Sequence, residues 1–424
     1  MKPLKFLLAA GLAAPVCAQE ILTLAEAERL ARQNHPRITA SVLRARAADA
    51  STAAARSAYF PTIAANLTGV QVDEGSRIGA GNITTSRLDS RFAGGVNVTQ
   101  LLTDFGRTGS LTESARSRAG AESENASFTR AQVLLNVRQA YFNALLSQTV
   151  LKIARDTVAS RQLTLKQINA LFQSDLKSSL DVSFAEVNVS AAELVLFRAE
   201  NDIQAALSEL SAAVGLDAPR EFRLAEEDLP PPLPPVPDTL VQQALQDRPD
   251  LASLRLRRQA ELSFAEAERK LKLPSVTALG VAGSIPLRDN RDLRGHYGGV
   301  GVNVNFPIFN GHLFSARQTE AALRAQALAE EVRGSEIRIR NDVRVAWLNA
   351  QTAWRRLDVT ARLVEQAGRS GRLAQARYDL GLASIVELNQ AQLNQTAAEI
   401  ENANAKYEYQ IRRSILNYES GTLR

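Results

Sequence analysis

The sequence predicts a mainly α-helical, internally duplicated chain that also carries four β-strands of membrane-crossing length. Three observations lead there. Two proline-free stretches, Arg107 to Gln173 and His312 to Arg424, read at a helical period. Short segments that alternate with a period of two, such as Gly301-Val302-Asn303-Val304-Asn305, come just before each of them. And landmarks repeat at fixed offsets along the chain, which is the signature of tandem duplication.

Met1 to Ala18 has a basic start (Lys2, Lys5), an apolar run from Phe6 to Ala14, and Val16-Cys17-Ala18 at its end. This reads as a secretory signal peptide, residues 1–18, cut before Gln19. Cys17 is the only cysteine, so the exported chain is expected to have neither disulfides nor thiolate metal sites. The net charge of +5 falls to +3 without Lys2 and Lys5, too little to argue for nucleic acid, and none is expected as a partner. No later run of about 18 apolar residues marks a membrane-spanning helix.

The first repeat is placed at 19–220. Thr23 caps a helix over Leu24 to Gln33, with Glu26 completing a capping box. A second, alanine-rich helix runs from Ile38 to Ser57, and Tyr59-Phe60-Pro61 stops it, making Pro61 a helix-to-strand hinge. Strands follow at about 62–72 and 90–103, separated by a Gly/Ser/Thr-rich loop over 73–89. Gly106 marks the switch into a helical hairpin over about 107–215. At ~1.5 Å per residue its first arm is about 100 Å long, a length at home in helix pairs and coiled coils. The hairpin turns at Ser174 to Ser179, and Gly215 is its C-terminal cap.

A proline-rich linker, 221–237, leads to the second repeat at 238–424. Pro61 is answered by Pro274, 213 residues later. Val98 is answered by Val304, Val137 by Val343, Phe172 by Tyr378 and Gly215 by Gly421, each 206 later. The register slips by seven across the first loop, where length changes cost least. Strands are placed at about 274–286 and 296–308, and a second hairpin at about 312–420. Phe306-Pro307-Ile308-Phe309-Asn310-Gly311 is its strand-to-helix hinge.

Four strands impose a constraint. An open sheet in lipid leaves edge N–H and C=O groups unpaired, at several kcal/mol each. Closed membrane barrels need about eight strands or more. Several copies must therefore share one barrel, most simply as a symmetric ring; strand arithmetic does not choose between two, three and four copies. The apolar stripes Val133, Val137, Tyr141, Ala144 and Val343, Trp347, Ala350 supply the helix contact faces. A ring that closes strands and helices alike is a hollow conduit.

These residues resemble the TolC family of outer-membrane efflux and secretion channels, over about Leu22 to Leu423. The resemblance is carried by Phe306 to Gly311, by Gln100-Leu101-Leu102-Thr103-Asp104-Phe105-Gly106-Arg107, and by Ala376-Arg377-Tyr378-Asp379-Leu380-Gly381-Leu382, in that setting. It implies a homotrimer with a twelve-stranded β-barrel in outer-membrane lipid and a periplasmic α-barrel. It also implies a periplasmic adaptor and an inner-membrane pump, of RND or ABC type, as partners. The tips at Leu176 to Asp181 and Leu382 to Glu387 would form the gate. Tyr378 and Asp181 match a tyrosine and an acid that bond across the hairpins, while Glu387 and Gln390 match pore-narrowing acids. Gln390 halves the charge of that ring, Ala383 replaces an arginine of some members, and Asp175 replaces a turn glycine that Gly381 retains.

Other signals are weak. Tyr378 alone also reads as a packed helix-end aromatic, and Glu387 as a solvated helix residue. His35, His296 and His312 lack metal-ligand spacing. Gly298-Gly299-Val300-Gly301 and Gly79-Ala80-Gly81 read as barrel-loop glycines, since neither lies between a strand and a helix N-terminus. No catalytic constellation, ATP site or cofactor motif is present, so an enzyme is not expected. The leading function is passive, gated efflux of small molecules; type I protein secretion and a periplasmic adaptor role are the alternatives.

Overall fold

The computed structural model describes residues 21–73, 77–80, 83–87, 90–234, 236–288 and 294–423; the predicted signal segment lies outside them. The chain divides into two compact units, each assembled from separated segments of both repeats. No helix among the described residues is long and apolar enough to cross a membrane.

One unit comprises Ala40–Phe128 and Arg248–Arg338. It holds most of α2 (Pro36–Arg56), strands β2 (Thr62–Val70), β3 (Arg77–Ala80), β4 (Ile83–Arg87) and β5 (Arg91–Thr103), and the start of α3 (Arg107–Gln173). From the second repeat come α6 (Pro249–Arg269), β7 (Ser275–Arg288), β8 (His296–Asn305) and the start of α7 (Leu313–Asp379). The antiparallel sheet has the order β2-β5-β7-β8, which leaves β2 and β8 as edges. Ile63 faces Val98 and, in the second repeat, Val276 faces Val304. Those pairs are related by the offsets of 213 and 206, so the duplication is preserved down to strand register. Ion pairs tie α6 to both long helices: Arg118 with Glu261, Arg257 with Glu122, Arg255 with Glu336, and Arg317 with the buried Glu268.

Two expectations are corrected in this unit. The segment taken as a loop over 73–89 carries the antiparallel strands β3 and β4. Its β-branched run Ile83-Thr84-Thr85 fits a pleated ladder, and this outweighs the glycine and serine around it. Gly79 likewise falls inside β3, and Gly81 lies outside the described residues. The glycines of Gly298-Gly299-Val300-Gly301 are not in a loop; they lie within β8. Aromatic packing, not turn geometry, accounts for nearby glycines. The phenol of Tyr297 lies across the sheet, and a Cβ on Gly95 or Gly283 would come within 2.2 or 2.5 Å of it.

The second unit contains β1 (Ile21–Leu22), α1 (Leu24–Asn34), the rest of α3, α4 (Ser179–Ala213), β6 (Arg223–Leu224), α5 (Asp238–Asp247), the rest of α7, and α8 (Ile385–Glu419). Thr23 and Glu26 form the capping box of α1. The stripes Val133, Val137, Tyr141, Ala144 and Val343, Trp347, Ala350 are buried, and the first of them packs with Leu22, Leu207, Leu210 and Tyr407 in one core. The aromatic of each stripe also holds backbone. Tyr141 Oη donates to the carbonyls of Leu22 (3.0 Å) and Ala225 (2.7 Å), fastening the parallel pair β1 and β6. Trp347, its duplicate, donates Nε1–H to the Pro234 carbonyl (3.1 Å), and Tyr409 Oη donates to that of Pro231 (3.0 Å). The proline-rich stretch is thus tied to helices along its length.

Every described residue with a left-handed backbone belongs to a duplicated pair. Phe105 matches Gly311, Gly106 matches His312, Asp175 matches Gly381 and Gly215 matches Gly421. Each pair is 206 apart. Only a sharp reversal needs this backbone, so each pair marks a turn inherited from one ancestral unit.

Candidate functional site at the hairpin tips

Both hairpins reverse by the same device. At the first tip, the Leu176 N–H bonds the Leu171 carbonyl (2.9 Å) and the Asp175 N–H that of Phe172 (3.0 Å). At the second, Leu382 bonds Arg377 (2.8 Å) and Gly381 bonds Tyr378 (3.0 Å). This is a Schellman closure, which satisfies the last carbonyls of α3 and α7. Asp175 at φ 58° occupies a position suited to glycine, and Gly381 at φ 73° occupies the equivalent one.

The return helices then start on serines, Ser178 and Ser384, that accept from the N–H three residues on. Asp181 and Glu387 are therefore the same helical position in the two repeats, but they are used differently. The shorter Asp181 folds back, its Oδ2 accepting from Ser178 N (3.1 Å) and Oγ (2.8 Å) to complete a capping box. The longer Glu387 reaches Arg377 Nε instead, at 3.4 Å. Arg377 Nη2 also donates to the Leu382 carbonyl (3.2 Å), so one guanidinium spans the turn. Position 171, the counterpart of Arg377, is a leucine; the first tip has no such bridge.

Tyr378 is the buried centre of the tips. It belongs to one buried cluster with Ile168 of α3, Ala185 of α4, and Ile385 and Leu388 of α8, to which all four long helices contribute. Lys177 Nζ stands 3.8 Å from the ring centroid, a cation–π contact that links the first turn to the second hairpin. The Tyr378 hydroxyl is buried with no hydrogen-bond partner among the described residues. The tyrosine–acid bond implied by the resemblance is therefore not made within this chain; the Asp181 carboxylate accepts from Ser178 instead. Asp181 is still felt: burial first, then the negative charges of Asp181 and Asp379, push the Tyr378 phenol up to about 12.

Gln390 lies one helical turn beyond Glu387 and bonds Asn394 along α8 (3.0 Å). Both line an open groove of about 960 Å³ between α7 and α8, with Arg369 and Arg377 opposite. The groove thus carries two guanidinium groups against one carboxylate.

The hinge residues sit at the junctions of sheet and helices. Phe60 and Leu273, which precede Pro61 and Pro274, are extended, as proline requires of its predecessor. Phe306, Pro307 and Gly311 lie between β8 and α7, and Phe306 is exposed. At the first junction Asp104 accepts from Gly106 N (3.1 Å) and Thr108 N (2.7 Å), capping α3. Lys270 Nζ bonds the Gly106 carbonyl (3.2 Å) and Ser110 Oγ (2.9 Å).

Arg377, Lys177, Asp104 and Lys270 were given no role of their own in the sequence expectation. Arg377 was within reach of it: the 206-residue offset superposes Glu387 on Asp181 and exposes the extra arginine. The lysine contacts cross between repeats and have no sequence signal. No group of three metal-binding side chains converges among the described residues.

Residues 28–216 and 240–418 match the family described as outer membrane efflux protein, and the chain belongs to that family, one of channels and not of enzymes. It is 24% identical over 356 residues to the probable efflux pump outer membrane protein TtgC of Pseudomonas putida, covering 81% of this chain and 71% of that one. It is 23% identical over 418 residues to the outer membrane protein TolC of Vibrio cholerae, covering 94% and 91%. A membrane protein from Pseudomonas aeruginosa shares the fold, with a TM-score of 0.80 at 23% identity over 94% of this chain and 93% of that one. So does the outer membrane protein VceC of Vibrio cholerae, at 0.78 and 19%, over 94% and 96%.

Proposed function

We propose that the chain is the outer-membrane channel of a tripartite efflux pump, a passive gated conduit that exports small molecules across the periplasm and outer membrane. Three copies would close a twelve-stranded barrel, with the helices forming a periplasmic α-barrel that meets an adaptor and an inner-membrane pump of RND or ABC type. Residues 1–18 would direct export and be removed. The sheet carries this reading. Its strands are 9 to 14 residues long, the length of a tilted membrane strand. Leu67 is 78% exposed and Val300 95% exposed, an arrangement suited to lipid and costly in water. The relatives' names, which include toluene and antibiotic efflux pump proteins, favour small-molecule cargo over protein.

Asp181, Tyr378, Glu387 and Gln390 would form the gate, and the hinges at Gly106, Phe306, Pro307, Gly311, Pro61 and Pro274 would pass the chain from barrel to helices. The test is reconstitution of the purified protein into planar bilayers, with drug and solvent susceptibility of a deletion strain alongside. Stepwise conductance from a multi-chain species and raised susceptibility are expected. A water-soluble monomer with no conductance would overturn the reading.

A further inference from the structure

We infer that the chain holds a binding site for a small, uncharged molecule that carries one hydroxyl or carbonyl oxygen on an apolar body. The site is an open cavity of about 530 Å³ between α2, α3 and α6, with Ser114 as the polar partner. All three walls belong to the unit that carries the sheet. One chain forms them, so the inference goes beyond the channel reading and does not depend on it.

The cavity exists because α2 is trimmed on one face. Ala48, Ser51, Ala55 and Ala58 recur every three or four residues and line it from that side, a single stripe of the helix. The offset of 213 places Glu261, Phe264, Glu268 and Leu271 at the same positions of the second repeat. On the α3 side, Leu111 and Ser114 are answered by Arg317 and Glu320, 206 later. In the second repeat Glu268 and Arg317 meet in an ion pair of 2.7 Å. In the first, an alanine and a leucine stand in their place, and the volume is left open. A space of this size suits a small ligand, and walls rich in alanine methyl groups give water few partners.

The polar groups around the cavity define the ligand. Ser51 Oγ donates to the Ala47 carbonyl (3.2 Å), Thr108 Oγ1 to the Asp104 carboxylate (2.6 Å), and Arg118 to Glu261 (2.9 Å). The charge of Arg118 is thus matched. No other ionisable group lines the cavity among the described residues, which favours a neutral ligand over an ion. Ser114 differs from the other three. It is 2% exposed, and its hydroxyl has no hydrogen-bond partner among the described residues. A buried hydroxyl left unpaired carries a penalty that a ligand oxygen relieves. Phe264 of α6 adds an aromatic wall, so a flat aromatic body fits.

The probe is 1-naphthol, with naphthalene as the counterpart that lacks the oxygen, in equilibrium dialysis against the full mature chain in lipid nanodiscs. Empty nanodiscs give the lipid background. Saturable 1-naphthol binding above that background is expected for the wild type. Ser114→Ala should weaken it roughly 2- to 13-fold, the worth of one neutral hydrogen bond, and leave naphthalene binding within twofold. Ala55→Leu, which refills the space, should abolish saturable binding of both. Ser114→Ala removes only a hydroxyl without a partner, so its melting temperature should not fall, and it keeps the test decisive if Ala55→Leu does not fold. Absence of saturable 1-naphthol binding to the wild type overturns the site, and so does wild-type affinity in a folded Ala55→Leu. An unchanged 1-naphthol affinity in Ser114→Ala, or an equal loss of both probes, overturns the hydrogen bond. Saturable, Ser114-dependent binding in a protein that conducts no ions supports the site and counts against the channel alone.

Discussion

Replacing Arg377 with alanine should loosen the second hairpin turn while leaving the first untouched. The magnitude follows from what the side chain does. Its ion pair with Glu387 is 3.4 Å long and joins groups that are 56% and 45% exposed, which puts it in the range of ~0.2–1 kcal/mol. Its bond to the Leu382 carbonyl adds about 1 kcal/mol. The sum, about 1–2 kcal/mol, shifts local opening roughly 5- to 30-fold. Amide hydrogen exchange read at Gly381 and Leu382 measures that opening directly, with Asp175 and Leu176 as the internal control, since their turn closes by the same bonds without an arginine. Glu387→Gln removes the ion pair and keeps the carbonyl bond, so it should raise exchange by only about 1.4- to 5-fold. In ~1 M salt the wild-type turn should approach the Glu387→Gln rate, because charges this exposed are screened at that ionic strength. Exchange at 381 and 382 within twofold of wild type in Arg377→Ala would refute the bridge.

Two further expectations concern the same tips. Asp175→Gly should tighten the first turn by up to about 1 kcal/mol, because a left-handed backbone penalises any Cβ; Gly381→Asp should loosen the second by a similar amount, and turn exchange rates read both. Tyr378→Phe removes a buried hydroxyl that has no partner, so exchange of the tip amides near neutral pH should stay the same or slow. Because the folded protein holds the phenol neutral up to about 12, its contribution is present below the ordinary tyrosine range near 10 and is lost as pH rises through 12. Alkaline loosening of the tip should accordingly weaken in Tyr378→Phe, and an unchanged alkaline profile would contradict it. Asp181→Ala, by contrast, removes the Ser178 capping box and should fray the start of α4 at a cost of about 1 kcal/mol, seen as faster exchange from Val182 onward.

Patterns with a strong local cause were legible in the sequence. The helices followed from long proline-free periodicity, the stripe around Val137 and Tyr141 from its spacing, and the capping box at Thr23 from two residues three apart. The strands β3 and β4 were missed because glycine and serine there suggested a turn, while the pairing that makes them strands is a relation between two short segments. The tip residues lie in the helix ends that flank the two turns, yet the absence of a bond between Tyr378 and Asp181 was not legible. At one and the same helical position Asp181 caps its own helix, while Glu387, one methylene longer, reaches Arg377.

The sequence by itself determined the duplication, with its offsets of 206 and 213, and hence that each unit of structure occurs twice. It also determined where helix gives way to strand, because proline, glycine and periodicity act over a few neighbouring residues. Only the tertiary structure decided how the two repeats differ in packing: Tyr378 buried beneath Lys177 while Phe172 stays partly exposed, and Lys270 gripping one junction. Those differences arise from contacts between residues more than a hundred positions apart. Such contacts have a geometry but no period, and a linear pattern cannot carry them.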